Sequence, residues 1–274
     1  MPYSVRIVIA TVVAAVLLAG CGSPVVEGSR SATPPYDGRM DARAAVDALE
    51  CRGKTPYRRG AGVYDDGLAK VQGNAEAALE DYMRESGLSL LLPADAYAVE
   101  REQDGGVLFS YDVDGRTKVA VFAAGDVRDW NHDRGWGVRA WAQCDPSEPP
   151  EDVTDDLNIG IWENEAGRRV PVTRIQSWQG AEHCSWEDIT FLLVGPEKRA
   201  DWYVRDAKRD LSELLDTTFS DHAGLPPDAS DTGLRRDGRQ LWIPPGADAA
   251  YLVSVDDPDD VERWPAADRP IRCA

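Results

Sequence analysis

Histidine is nearly missing from this chain. His132, His183 and His222 lie in separate segments, and no two have metal-ligand spacing. None of the 5 cysteines forms a Cys-x-x-Cys pair, which argues against thioredoxin-like redox chemistry and zinc ribbons. There is no Gly-x-Ser-x-Gly elbow, no His-Glu-x-x-His, no P-loop, and no Gly-x-Gly-x-x-Gly after a strand pattern. No cofactor or metal is therefore expected. Positive charge is also short, with 30 basic residues against 48 acidic ones and a formal net charge of −18. Nucleic acid is excluded as a partner, because phosphates need Lys and Arg. A surface that hugs anionic lipid is excluded on the same ground. The acidity itself reads as solubility.

What is present begins at the N-terminus. Arg6 is the only charge before residue 21, and Ile7 to Leu18 is apolar apart from Thr11. The apolar run is shorter than the ~20 residues of a membrane span, and small residues follow it, as in a signal sequence. It closes on Leu18-Ala19-Gly20-Cys21, which resembles the lipobox of bacterial lipoproteins. That resemblance implies cleavage before Cys21, a diacylglyceryl thioether on its sulfur and acylation of its new amine. One acyl chain binds a bilayer only marginally, so two or three make a durable anchor. The expected location is the extracytoplasmic face of the cell membrane, with the membrane as partner through the lipid on Cys21. Gly22 to Gly38 is rich in Ser, Pro and Gly and reads as a flexible tether. Arginine used in place of lysine, with much Ala, Gly and Asp, is similar to actinobacterial composition.

Cys51, Cys144, Cys184 and Cys273 remain, an even number in an oxidising compartment. Structural disulfides follow, with three possible connectivities. An internal repeat points to one. Leu92-Pro93-Ala94-Asp95-Ala96 recurs as Leu225-Pro226-Pro227-Asp228-Ala229, Asp104-Gly105 as Asp237-Gly238, Leu108-Phe109 as Leu241-Trp242, and Cys51 as Cys184. All four share an offset of about 133 positions. Cys144 then maps near Cys273 with a small deletion. The expected bonds are Cys51–Cys144 and Cys184–Cys273, one in each copy.

The expected division is a signal peptide over 1–20, a tether over 21–40, module one over 41–146, a linker over 147–156 and module two over 157–274. The linker reading rests on the Pro, Glu and Asp of that run. Helical spacing appears over Met40 to Leu49, from the Asn74 cap to Gly87, and over Ala207 to Phe219. Thr55 to Gly62 reads as loop. Strand patterns flank Asp114-Gly115, Asn164-Glu165-Ala166-Gly167 and Pro244-Pro245-Gly246, and Trp136, Val138 and Ala140 alternate along another strand. Thr190 to Val194 is an apolar strand. The expected fold class is α+β: two related small modules, each one helix packed on a small antiparallel sheet and stapled by a disulfide.

Trp178-Gln179-Gly180-Ala181-Glu182-His183-Cys184-Ser185-Trp186 is the densest local signature. Together with Leu241-Trp242 and Trp264-Pro265 it resembles segments of actinobacterial lipoproteins of uncharacterised function, a resemblance that implies no activity. Tryptophans packing around a disulfide explain it structurally. As a ligand site, Trp178 and Trp186 would offer ring faces, with Glu182 and His183 as polar contacts for sugar or peptide. Asp126, Asp129, His132 and Asp133 crowd one loop that reads as solvated. The chain thus reads as an anchored envelope lipoprotein with a non-catalytic binding or structural role, its partner a cell-wall polymer or a protein. The rival is a secreted hydrolase using carboxylates, whose pairing has no fixed sequence spacing, with a metal on Asp126, Asp129 and His132. Replacing Cys21 by Ser is expected to abolish incorporation of labelled fatty acid and to release the chain from membranes. Unchanged membrane retention of the variant would refute the anchor.

Overall fold

The computed structural model describes residues 36–271 apart from 54, 63–69, 86–91, 93, 157, 197–198, 206–210, 212–213 and 216. The lipobox, residues 21–35 of the tether, Cys273 and much of the helix expected over 207–219 lie outside this set.

The first half is built on Asp-Gly hairpins. Helix α1 (Ala44–Asp47) precedes strand β1 (Arg58–Ala61), helix α2 (Ala75–Glu85) and strands β2 (Ala98–Gln103), β3 (Gly106–Val113), β4 (Arg116–Arg128) and β5 (Arg134–Gln143). The strands form one antiparallel sheet in the order β1-β5-β4-β3-β2. Asp104-Gly105 turns β2 into β3 and Asp114-Gly115 turns β3 into β4, each with both residues at positive φ. That geometry matches the twist of a hairpin and favours Asp-Gly. Thr55 to Gly62, expected as loop, supplies the edge strand β1.

Strand β4 is covered on both faces, which explains its unbroken apolar run Val119-Ala120-Val121-Phe122-Ala123-Ala124. One face meets α2, where Ala75, Leu79 and Tyr82 pack on Phe109, Val121, Val138 and Trp141. The other meets Ala44, Ala45, Ala48 and Leu49 around α1. Asn74 caps α2 as expected: the Ala77 N–H donates to its Oδ1 at 2.8 Å. Cys51 is bonded to Cys144 with Cα atoms 5.3 Å apart, so the chain after α1 is tied to the end of β5. In the chain-entropy model a loop of this length contributes about 4 kcal/mol. Cys184 is also disulfide-bonded.

The second half is more sheet-rich than the expected helix on a sheet. After α3 (Glu151–Asp156) come β6 (Glu163–Asn164), β7 (Ile175–Gln179), β8 (Thr190–Val194), β9 (Asp201–Arg205), β10 (Ser230–Arg236), β11 (Arg239–Ile243), β12 (Ala249–Ser254) and β13 (Val261–Pro265). They form a five-stranded sheet, β13-β12-β11-β10-β6, and a three-stranded sheet, β7-β8-β9, with antiparallel pairing throughout. The expected α+β class is corrected in proportion: among the described residues three antiparallel sheets dominate, and the helices are few and short. The reason lies in what covers the five-stranded sheet. Leu234, Leu241, Ala250, Leu252 and Trp264 on its inner face pack against Ile175, Leu192 and Tyr203 of the three-stranded sheet. In the first half a helix does that work.

The two sheets meet at both sides. Gly160 bridges Ser177 on one seam, and Tyr203 bridges Ala266 on the other. The eight strands therefore close into a barrel-like ring, with the Trp162, Tyr203 and Trp264 side chains inside.

The start of the expected linker is enclosed, while Pro150, Glu151, Asp152 and Asp155 further along it are exposed. Residues 144–149 are buried. Glu148 accepts the Arg52 backbone N–H at 2.9 Å and the Lys118 Nζ at 2.8 Å. Asp145 Oδ1 accepts the N–H groups of Ser147 and Val172, at 2.9 and 3.1 Å. Pro and acid content signals a linker only while the acids face water; Glu148, and Asp145 just before the run, are paired indoors. The side chains of Lys118 and Glu148 are 5% and 3% exposed. Glu148→Ala is expected to destabilise the protein by about 3–5 kcal/mol in urea titration, because it strands a buried ammonium. Combining it with Lys118→Met should recover part of that loss, and additive losses would contradict the pairing.

Candidate functional site

Strand parity decides what the ring encloses. Leu234 and Leu241 point inward, so Arg236 and Arg239, two residues away towards the Asp237-Gly238 turn, share their side. Glu262 shares a side with Trp264, Arg205 with Tyr203, and Thr190 with Leu192. One end of the interior is thus apolar and the other polar. At the polar end the described residues line an open cavity of about 990 Å³. That is the upper end of ligand-pocket sizes, and barrel mouths are a favoured place for them.

The polar groups at this mouth are held in place. Arg205 donates to Glu262 through Nε and NH2, both at 3.3 Å. Arg239 donates to Asp260 at 2.9 Å and lies 3.5 Å from Glu262. Trp264 Nε1 donates to Glu262 Oε2 at 2.8 Å, so this buried carboxylate gathers two guanidiniums and an indole. Arg236 donates from NH1 to Ser177 Oγ at 2.5 Å, and Trp162 Nε1 donates to the same oxygen at 3.2 Å. Arg169, at the α3 side, donates to the Pro149 carbonyl and to Thr154 Oγ1. Burial pushes its guanidinium pKa down, opposed by the nearby Glu151 carboxylate. Beneath this layer burial raises the Tyr203 phenol, with Asp201 and Asp248 adding to the shift.

Gly160 makes the Arg236 contact possible. A Cβ there would stand 1.2 Å from Arg236 NH1 and 2.3 Å from Ser177 Oγ. The guanidinium crosses the seam over a residue with no side chain.

The segment around Cys184 lies elsewhere. Trp178 sits on the outer face of β7, stacked on Phe191 at 5.7 Å and edge-on to Trp202 at 5.5 Å. Trp186 meets Phe191 edge-on at 5.7 Å. Leu211, Leu214, Leu215 and Ile271 pack against this aromatic cluster. Both tryptophans are half-buried, and Glu182 and His183 are exposed on a short 3-10 turn. Of the four expected contacts, Trp178 alone borders the mouth, and its ring is engaged on the other side. The fold brings Trp178 and Trp186 together through Phe191, in the manner of packing near a disulfide, and leaves Glu182 and His183 out of the mouth.

The acidic loop is likewise committed. Strand β4 runs through Asp126, which pairs with Arg139 at 2.9 Å. Asp129 Oδ1 accepts the N–H groups of Asn131 and Asp133, at 2.9 and 3.1 Å, which shapes the hairpin tip. Among the described residues the one cluster with metal-ligand proximity is Cys51, Cys144 and Glu148. Its sulfurs form the disulfide and its carboxylate is taken by Lys118.

Fold and site define an antiparallel, barrel-like protein with a polar mouth. No protein-family model, curated protein or solved structure matches the chain. The mouth residues Arg205, Arg236, Arg239 and Glu262 escaped motif reading. The available signal was parity: Leu234-x-Arg236 and Arg239-x-Leu241 place arginines on the core side of a hairpin. Gly160→Ala is expected to expel Arg236 from Ser177 and to cost about 1–3 kcal/mol of stability, the range for an orphaned buried polar group. The loss should shrink in an Arg236→Ala background; an equal loss there would show that the Gly160 contact is unimportant.

Proposed function

We propose that the protein is a lipid-anchored envelope lipoprotein whose folded part binds a ligand, without catalysis, in the mouth of the ring. The lipobox-like Leu18-Ala19-Gly20-Cys21 supports the anchor, and the tether gives the folded part reach from the bilayer. The cavity of about 990 Å³ carries the binding reading. Its polar groups are prearranged by neighbours, so little side-chain order is lost when a ligand arrives. The carboxylate-hydrolase reading draws no support from Glu262, which spends its oxygens on Arg205, Arg239 and Trp264.

We infer further that the two halves descend from one duplicated module. The meander β2-β3-β4-β5 and the meander β10-β11-β12-β13 run in the same order, and Asp237-Gly238 adopts the same positive φ pair as Asp104-Gly105. Pairing of Cys184 with Cys273 belongs to the same proposal.

Gln179 is exposed at the mouth, so Gln179→Trp would obstruct it while sparing the core. An extract of actinobacterial envelope is expected to raise the melting temperature of the full chain but not of this variant. A ligand at a hundred times its Kd stabilises by about 2.7 kcal/mol. For a chain of this size that is about 5–10 °C. Equal shifts in both proteins, or none in either, would overturn the mouth as the binding site.

A further inference from the structure

The chemistry of the mouth narrows its occupant. We propose that it takes a neutral, polyhydroxylated ligand, a glycan chain; this rests on the binding role proposed above. The first argument is charge balance. Among the described residues the lining holds five arginines and six carboxylates; Arg205 is paired with Glu262, Arg236 with Asp237 and Arg239 with Asp260, and Arg169 is spent on the Pro149 carbonyl and Thr154 Oγ1. An anionic ligand would have to displace these partners from four of the five arginines, and a cationic one would meet the arginines. A neutral ligand needs neither displacement.

The second argument is geometry. Guanidinium and carboxylate are planar forks with fixed donor and acceptor directions. Side by side, as in Arg236–Asp237 at 3.0 Å, where the Asp237 side chain is 80% exposed, they present donors and acceptors a short distance apart. Vicinal hydroxyls of a sugar, each both donor and acceptor, match such pairs. Asn158, Gln179 and Thr190 add neutral groups of both kinds. The third argument is the apolar contact. Val255 lines the mouth and is 50% exposed, an unusual position for a large aliphatic side chain. It offers a surface for the C–H face of a sugar ring.

A peptide fits less well. Extended peptides bind by adding a strand to a free edge, or by filling apolar pockets. Both seams of the ring are bridged, at Gly160–Ser177 and Tyr203–Ala266, and Val255 is the single exposed large aliphatic residue in the described lining.

The test is calorimetric titration of the full chain in a zwitterionic, sugar-free detergent. The probes are neutral hexasaccharides of glucose, mannose, arabinose and N-acetylglucosamine, with hexagalacturonate and hexaalanine for contrast. At least one neutral hexasaccharide is expected to bind at millimolar concentration or tighter. Gln179→Trp should weaken it tenfold or more, the equivalent of about 1.4 kcal/mol, with an unchanged circular dichroism spectrum. Val255→Asp should weaken it as well. Preference for hexagalacturonate or hexaalanine, still sensitive to Gln179→Trp, would overturn the neutral-glycan assignment and leave the binding mouth standing. No binding of any neutral hexasaccharide at millimolar concentration would also overturn the assignment, while a Gln179-dependent shift with envelope extract would still support the mouth. Glycan binding indifferent to Gln179→Trp would overturn both.

Discussion

Two isolated strand bridges decide the character of the second half. Gly160 against Ser177 and Tyr203 against Ala266 join a five-stranded sheet to a three-stranded one. Without them the inner faces would be two open surfaces, each needing a separate cover. With them one interior is shared, and every inward side chain is committed to packing or to the mouth. Trp162, Tyr203 and Trp264 fill the interior, and the arginines that continue the same inward rows have only one direction left, towards the open end.

A strongly acidic chain gathers its arginines there by pairing. Burying a charge costs several kcal/mol unless it is met by an opposite charge and hydrogen bonds. Glu262 meets that condition with Arg205, Arg239 and the Trp264 indole. The same rule governs the junction between the halves. Glu148 looks like a linker acid by composition and Asp145 stands just before that run, yet each is enclosed and satisfied by groups far away in the chain: Arg52 and Lys118 for one, Val172 for the other.

Local rules read much of the first half correctly. The Asp114-Gly115 turn, the Asn74 cap and the alternation around Trp136, Val138 and Ala140 act over a few residues, so spacing alone reveals them. The repeat-derived Cys51–Cys144 bond was also legible, because an offset in the sequence carries long-range information. The second half resisted. Its strands are short, and β6 has only two residues, which no periodicity can flag. The Trp178 to Trp186 signature drew notice by density, although density does not say which face of a strand a ring occupies.

By itself, the amino-acid sequence determined the hairpins, the capped helix, the acidic balance and the cysteine pairing of the first half. Each follows from backbone preferences, composition or repetition that need no partner distant in the chain. Tertiary structure alone decided that residues 144–149 would be buried, that a sheet and not a helix would cover β10–β13, and that Arg205, Arg236, Arg239 and Glu262 would share one mouth. Those outcomes depend on which strands meet at the seams. A bridge between Gly160 and Ser177, or between Tyr203 and Ala266, leaves no periodic trace in the residues that form it. Its stabilisation comes from the shared interior it closes.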